Sequence, residues 1–168
     1  MVPTEGDKAD QIRKLLVILS KIPIFEDLSI RYKRLILSIS HRINLSKGGV
    51  LCNEGDVSDS MFILLVGKLS VSIKGSGTIA TINPIGTIGE MGVFTDEKRS
   101  ATVIAMTNCA LLAIRAFDLK RLLESEPRFG TNIMRKVIKI LAARIQEHNV
   151  RIREFQNYII SQEDKGTH

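Results

Sequence analysis

Between Gly86 and Thr102 the chain reads Gly-Thr-Ile-Gly-Glu-Met-Gly-Val-Phe-Thr-Asp-Glu-Lys-Arg-Ser-Ala-Thr, a run that gathers the residue types needed to hold a phosphorylated sugar. Gly89 lets backbone come close to a partner, and the apolar turn after it is expected to be helical, with free N–H groups facing an anion. Arg99 then enters the next strand. A guanidinium set against a phosphate makes charge-assisted, often bidentate bonds worth about 1.5–3 kcal/mol each, and the Glu90 carboxylate accepts from hydroxyl groups. The same residues also suit a loop closed by a Glu90–Arg99 ion pair with no ligand, and composition does not separate the two.

Little else in the chain suggests catalysis. His41, His148 and His168 stand far apart, so the paired-histidine spacing of zinc hydrolases is missing and no metal site is expected. There is no G-x-x-x-x-G-K-[ST] loop, no G-x-G-x-x-G fingerprint and no G-x-S-x-G elbow, and an enzyme is not expected. Cys52 and Cys109 lie 57 positions apart in apolar contexts, which fits buried thiols in a reducing compartment. Apolar runs reach about five residues where a membrane helix needs roughly 20. The acidic start Glu5-Gly6-Asp7 lacks the apolar core of a secretory signal, so a cytoplasmic address is expected.

The elements that must position these residues follow from hydrophobic period. The 168 residues, 44% hydrophobic and 25% charged, suit one globular domain. We place it at residues 10–160, between a tail at 1–9 and a tail at 161–168. Ile12, Leu15, Leu16, Ile18 and Leu19 recur at helical spacing, and a second helix starts at the N-cap Ser29, giving helices over 10–40. From 42 to 115 the pattern turns to short strands at 50–52, 61–66, 68–73, 78–82, 101–106 and 110–114, separated by glycine turns. That spacing predicts a small antiparallel barrel or sandwich. Helical period returns over 116–160, with a short helix and then a long one from Pro127, where proline fits the first turn.

The long helix carries two apolar rows. Met134, Ile138, Leu141, Ile145, His148, Ile152, Phe155 and Ile159 are spaced alternately 4 and 3 apart, the repeat of a coiled-coil seam, which points to a homodimer through 134–159. His148 is there more naturally a register-setting polar residue than a ligand or pH sensor. Ile133, Val137 and Ile140 form a second row free to cover the β-structure. Residues 128–160 hold seven basic and two acidic side chains, so they supply five of the six net positive charges of the chain. A solvated helix face accounts for that excess; direct nucleic-acid or membrane binding is the weaker reading.

Gly89-Glu90-Met91, seven residues, then Arg99-Ser100-Ala101-Thr102 resembles the phosphate-binding cassette of the cyclic-nucleotide-binding domain family, G-E-[LM] followed by R-[AST]-A-[TW]. Gly49 to Asp56, Met61 to Leu64 and Gly67 to Val71 are similar to the family's early strands, and Ile22-Pro23-Ile24-Phe25 with Leu28 to its entry turn. The resemblance covers about residues 10–160 and implies an α+β, mainly β fold: an antiparallel, jelly-roll-like β-roll flanked by N-terminal helices and a long C-terminal helix. It also implies that Arg99 binds the cyclic phosphate with backbone near Ser100 and Ala101, that Glu90 accepts from the ribose 2′-OH, and that Gly89 and Met91 line the sugar. Base contacts come from the C-terminal helix in this family, with Arg144, His148 and Asn149 the candidates by position. Ser100 permits either purine. The Arg-Ser-Ala pattern is similar to that of catabolite-activator-like domains, so cAMP is expected first and cGMP second. Two departures stand out: Gly86 lies one residue closer to the cassette than usual, and Lys98 replaces a common proline.

In such domains ligand capture moves the C-terminal helix, and a seam on that helix would carry the change to a second subunit. Only Ser161 to His168 follow it, too few for a helix-turn-helix, so the output is expected to pass to an effector in trans or within a longer chain. A dimeric interaction module of the same fold without nucleotide is the alternative.

Overall fold

The computed structural model describes residues 5–163; the side chains of residues 5–8, of Arg144, Glu147, His148, Arg151 and Phe155, and of 157–163 lie outside the described set. Helix α1 (Glu5–Leu19) begins inside the segment assigned above to a tail. Asp10 pairs with Lys14 one turn on at 2.7 Å, which supports the helix ahead of its apolar residues. A turn burying Ile22, Ile24, Phe25 and Leu28 leads to α2 (Ile30–Ser38). Ser29 caps α2 as expected: its backbone is extended and its Oγ accepts from the Tyr32 N–H. Lys33 is buried, and its ammonium donates to Ser20 Oγ at 2.8 Å and to the Glu26 carbonyl at 2.9 Å.

Eight strands follow: β1 (Ser40–Leu45), β2 (Val50–Cys52), β3 (Ser60–Val66), β4 (Leu69–Ile73), β5 (Gly77–Ile82), β6 (Thr87–Ile88), β7 (Thr102–Ala105) and β8 (Cys109–Arg115). A six-residue helix α3 (Glu90–Thr95) separates β6 from β7, and α4 (Ala116–Ser125) and α5 (Pro127–Glu163) close the described chain. The strands form two antiparallel four-stranded sheets, ordered β1-β8-β3-β6 and β2-β7-β4-β5. This is the α+β, β-roll architecture read from the sequence, with two strands added: β1, whose Ser-His-Arg-Ile-Asn-Leu mixes charge into a strand pattern, and the two-residue β6.

The central pair β3 and β8 is buried on both faces. Met61, Ile63, Leu112 and Ile114 point to the helices, where they meet Leu19, Phe25, Leu119, Phe129 and Ile133. Phe62, Leu64, Leu111 and Ala113 point between the sheets, against Leu69, Val103 and Cys52. Double-sided burial makes these strands read as unbroken apolar runs instead of an alternation. On α5 the row Ile133, Val137 and Ile140 packs into the helix-side core, while Met134, Ile138, Ile145 and Ile152 are exposed. Among the described residues no helix is long and apolar enough to cross a membrane.

The root of α5 is fixed by Phe129, fully buried and stacked on Tyr32 of α2 with ring centroids 4.9 Å apart. Phe129→Ala removes this ring from a closed core and is expected to cost about 3–5 kcal/mol in urea-induced unfolding. A loss below about 1 kcal/mol would contradict the packing described.

Candidate functional site

Arg99 lies in the turn between α3 and β7 with its side chain inside the protein, only 6% exposed. The backbone of the β2–β3 connection holds it there, because Arg99 N–H donates to the Asp56 carbonyl and Gly55 N–H donates to the Arg99 carbonyl, both at 2.8 Å. Its guanidinium reaches toward β3, where Nη2 donates to the Ser60 carbonyl at 2.5 Å and the carbon centre sits 5.5 Å from the Phe62 ring centroid. Carbonyl and aromatic face both suit a cation. Neither supplies a countercharge. The remaining donors, Nε and Nη1, are buried and find no hydrogen-bond partner among the described residues.

Two glycines make this placement possible. Gly89 caps α3 in the left-handed conformation, φ 75°, and a Cβ built there would lie 1.7 Å from Arg99 Nη1. Glycine is therefore required twice, for its backbone angle and for the room it leaves. A Cβ on Gly92 would lie 2.2 Å from Ser58 Oγ, so the loop ahead of β3 can press onto α3.

Gly89, Glu90, Met91, Arg99, Ser100 and Ala101, all singled out from the sequence, line one cavity of about 250 Å³. Val71 of β4, Ile82 of β5, Val103 of β7 and Cys52 of β2 also line it and give it an apolar face. Burial pushes the Cys52 thiol above its ordinary range, against the opposing pull of the Arg99 guanidinium. The cavity thus pairs an anion-binding end with a face for flat apolar surface. Buried, unpaired guanidinium donors fit a singly charged cyclic phosphate, and the apolar wall fits a base. Sequence reasoning missed this wall and the Ser60–Phe62 support; Ser60 and Phe62 lie on β3, far from Arg99 in sequence, and the alternation of Phe62 and Leu64 on the inner side of that strand is the signal that marks Phe62.

The helix candidates stand differently. Arg144 and His148 lie on α5, with side chains outside the described residues, and Asn149 is exposed. No described side chain of α5 lines the cassette cavity. Instead Val137, Ile140 and Leu141 share a small apolar cleft with Ile22, Ile24, Phe94, Glu90 and Met91. Glu90 and Met91 therefore border both the cavity and the contact with α5. Among the described residues no cluster of His, Cys, Asp and Glu is suited to a metal ion.

The sequence model of the family described as cyclic nucleotide-binding domain matches residues 42–126. Cyclic nucleotide-gated potassium channels of Rhizobium etli and Mesorhizobium japonicum are similar to this chain, at 28% and 30% identity over 73% and 79% of it. The chain spans only 34% and 36% of those two channels. A cyclic nucleotide-binding domain from Methylobacillus flagellatus superimposes with TM-score 0.72 and 28% identity, covering 85% of this chain and 83% of that one. The Thermus thermophilus catabolite activator protein, at 24% identity and TM-score 0.68 over 80% of this chain and 63% of its own, shares the fold. With the cassette, the two-sheet roll and the family match all lying on the same residues, the chain belongs to the cyclic nucleotide-binding domain family.

Proposed function

We propose that the domain is a cyclic-nucleotide sensor that takes cAMP in preference to cGMP and transmits capture through α5 to a second subunit and an effector. The observation that carries this reading is the buried Arg99 guanidinium with two unpaired donors at the end of the cassette cavity. Its desolvation is already incurred on folding, so an anion gains charge-assisted bonds without paying that cost again. Glu90 takes the ribose hydroxyl, and Gly89 and Met91 bring main chain against the sugar.

The preference for adenine rests on the wall. Val71, Ile82 and Val103 offer no polar group to a base, and Ser58, Thr87 and Ser100 are the hydroxyls in the lining. Guanine carries more edge donors and acceptors than adenine and loses more on leaving water unpaired. On this reading the site binds the nucleotide as a signal and does not turn it over.

Transmission rests on the residues shared between cavity and helix. Tightening of the cassette around a phosphate displaces Glu90 and Met91 and alters the cleft that seats Val137, Ile140 and Leu141. A hundredfold preference of the ligand for the closed arrangement supplies about 2.7 kcal/mol to move the helix. The exposed row Met134, Ile138, Ile145 and Ile152 supports pairing of α5 with a second copy. The effector lies in trans or elsewhere in a longer chain, as in the channels of which this domain matches a part.

Calorimetric titration of protein refolded free of ligand tests the reading. Saturable cAMP binding, tighter than cGMP, is expected, with at least tenfold loss in Arg99→Ala and a similar loss in Gly89→Ala, whose added methyl displaces the guanidinium. Unchanged affinity in a folded Arg99→Ala protein would overturn it. Ile145→Asp places a carboxylate in the α5 seam and is expected to give monomers in sedimentation experiments. A dimer persisting at micromolar concentration would refute the helix pairing.

A further inference from the structure

A second concavity lies away from the cassette, between α1 and the helix-side face of the β1-β8-β3 sheet, with a volume of about 720 Å³. Leu15 and Ile18 of α1, Leu37 of α2 and Leu65 of β3 form its apolar floor. Ile12, 45% exposed, and Val66, 58% exposed, leave apolar surface open at its edges. Lys14 of α1, Arg34 of α2 and Arg42 of β1 contribute the charge, and among the described residues no acidic side chain lines the groove. Lys14 is paired with Asp10 on its own helix. Arg34 and Arg42 are exposed, and the described residues offer neither of them an ion-pair partner.

We propose that this groove is a docking site for an amphipathic helical segment of a partner protein, with aliphatic residues along one face and acidic residues flanking them. The shape and the charge carry the argument together. An open apolar trough takes a helix by its i, i+3, i+4 anchors, the usual way a groove reads a helical peptide. The two unpaired cations, Arg34 and Arg42, stand on different elements, so carboxylates spread along a segment engage both, whereas a single anionic head group would engage one. Charge of one sign around an apolar centre favours acidic partners and rejects basic ones. The surface is separate from the nucleotide cavity, so the site holds whether or not cAMP is the ligand there.

The test uses the full chain and a displayed library of 18-residue helix-patterned peptides, counter-selected on the Arg34→Glu/Arg42→Glu variant. Both arginines are exposed, and an unchanged thermal midpoint will confirm that the variant folds; Arg42→Ala, which removes one charge without reversing it, serves as a milder control. The expected result is enrichment of net-acidic peptides with aliphatic residues at helical spacing. Their affinity should fall at least tenfold in the double variant and by an intermediate factor in Arg42→Ala. The proposal is overturned if no peptide is enriched, if the enriched peptides are neutral or basic, or if they bind the double variant equally well. Displacement of a selected peptide by equimolar palmitate would also overturn it, by assigning the groove to an acyl chain.

Discussion

A guanidinium removed from water, with no ion-pair partner given to it by the described residues, is the constraint around which the roll is arranged. Burying a charge costs several kcal/mol unless neighbours replace its hydration. Around the Arg99 guanidinium that replacement is partial, one carbonyl and one aromatic face, while a backbone clamp from residues 55 and 56 fixes its main chain. The clamp needs the β2–β3 connection, the carbonyl and ring need β3, and the space for Nη1 needs a glycine in the left-handed conformation at the head of α3. The buried charge and the left-handed glycine cost stability. Together these parts hold a preorganised cation in the lining of a cavity, a poor arrangement for stability and a good one for binding an anion.

The same frame explains how the β-roll and the helices communicate. Glu90 and Met91 open α3, so one face of this short helix borders the cavity and another borders α5. The base of α5 is anchored by Phe129 against Tyr32 and by Lys136, whose ammonium pairs with both Glu26 and Asp27. That lysine holds the Asp27 carboxyl below its ordinary range, and the two carboxylates raise the lysine in turn. These groups lie at the surface, so the pairs fix direction more than they add stability. Farther along α5 the described isoleucines Ile145 and Ile152 are exposed, so the helix has a fixed root and an apolar surface beyond it.

The cassette was legible in the sequence because its chemistry allows few substitutes. Glycine, glutamate and arginine at fixed spacing name a close approach, an acceptor and an anion receptor, and all six cassette residues meet at one cavity. The two faces of α5 were legible in part: Ile133 is buried and Met134, Ile138, Ile145 and Ile152 are exposed, but Leu141 of the seam row lines the cleft against the roll, and the side chains of His148, Phe155 and Ile159 lie outside the described residues. The support for Arg99 was hidden: Ser60 lies 39 residues from its guanidinium partner, and only the folded register of β3 brings it there. Strand β1 escaped because its exposed His41, Arg42 and Asn44 conceal the inward Ile43 and Leu45. The first turn of α1 escaped because its residues are polar and carry no hydrophobic period. Of the three helix residues expected at the base, only Asn149 has a described side chain, and it is exposed and apart from the cavity lining.

The central claim is that Arg99 receives the ligand's phosphate, and the arginine Nε–H signal in a nitrogen-15 correlation spectrum reports on it directly, with Arg99→Lys used to assign the resonance. Stoichiometric cAMP is predicted to move the Arg99 Nε–H signal downfield and protect it from exchange, as an unpaired buried donor acquires a phosphate oxygen. A signal that stays in place while cAMP saturates the protein would contradict the account, because the ligand would then be bound somewhere the buried guanidinium does not reach.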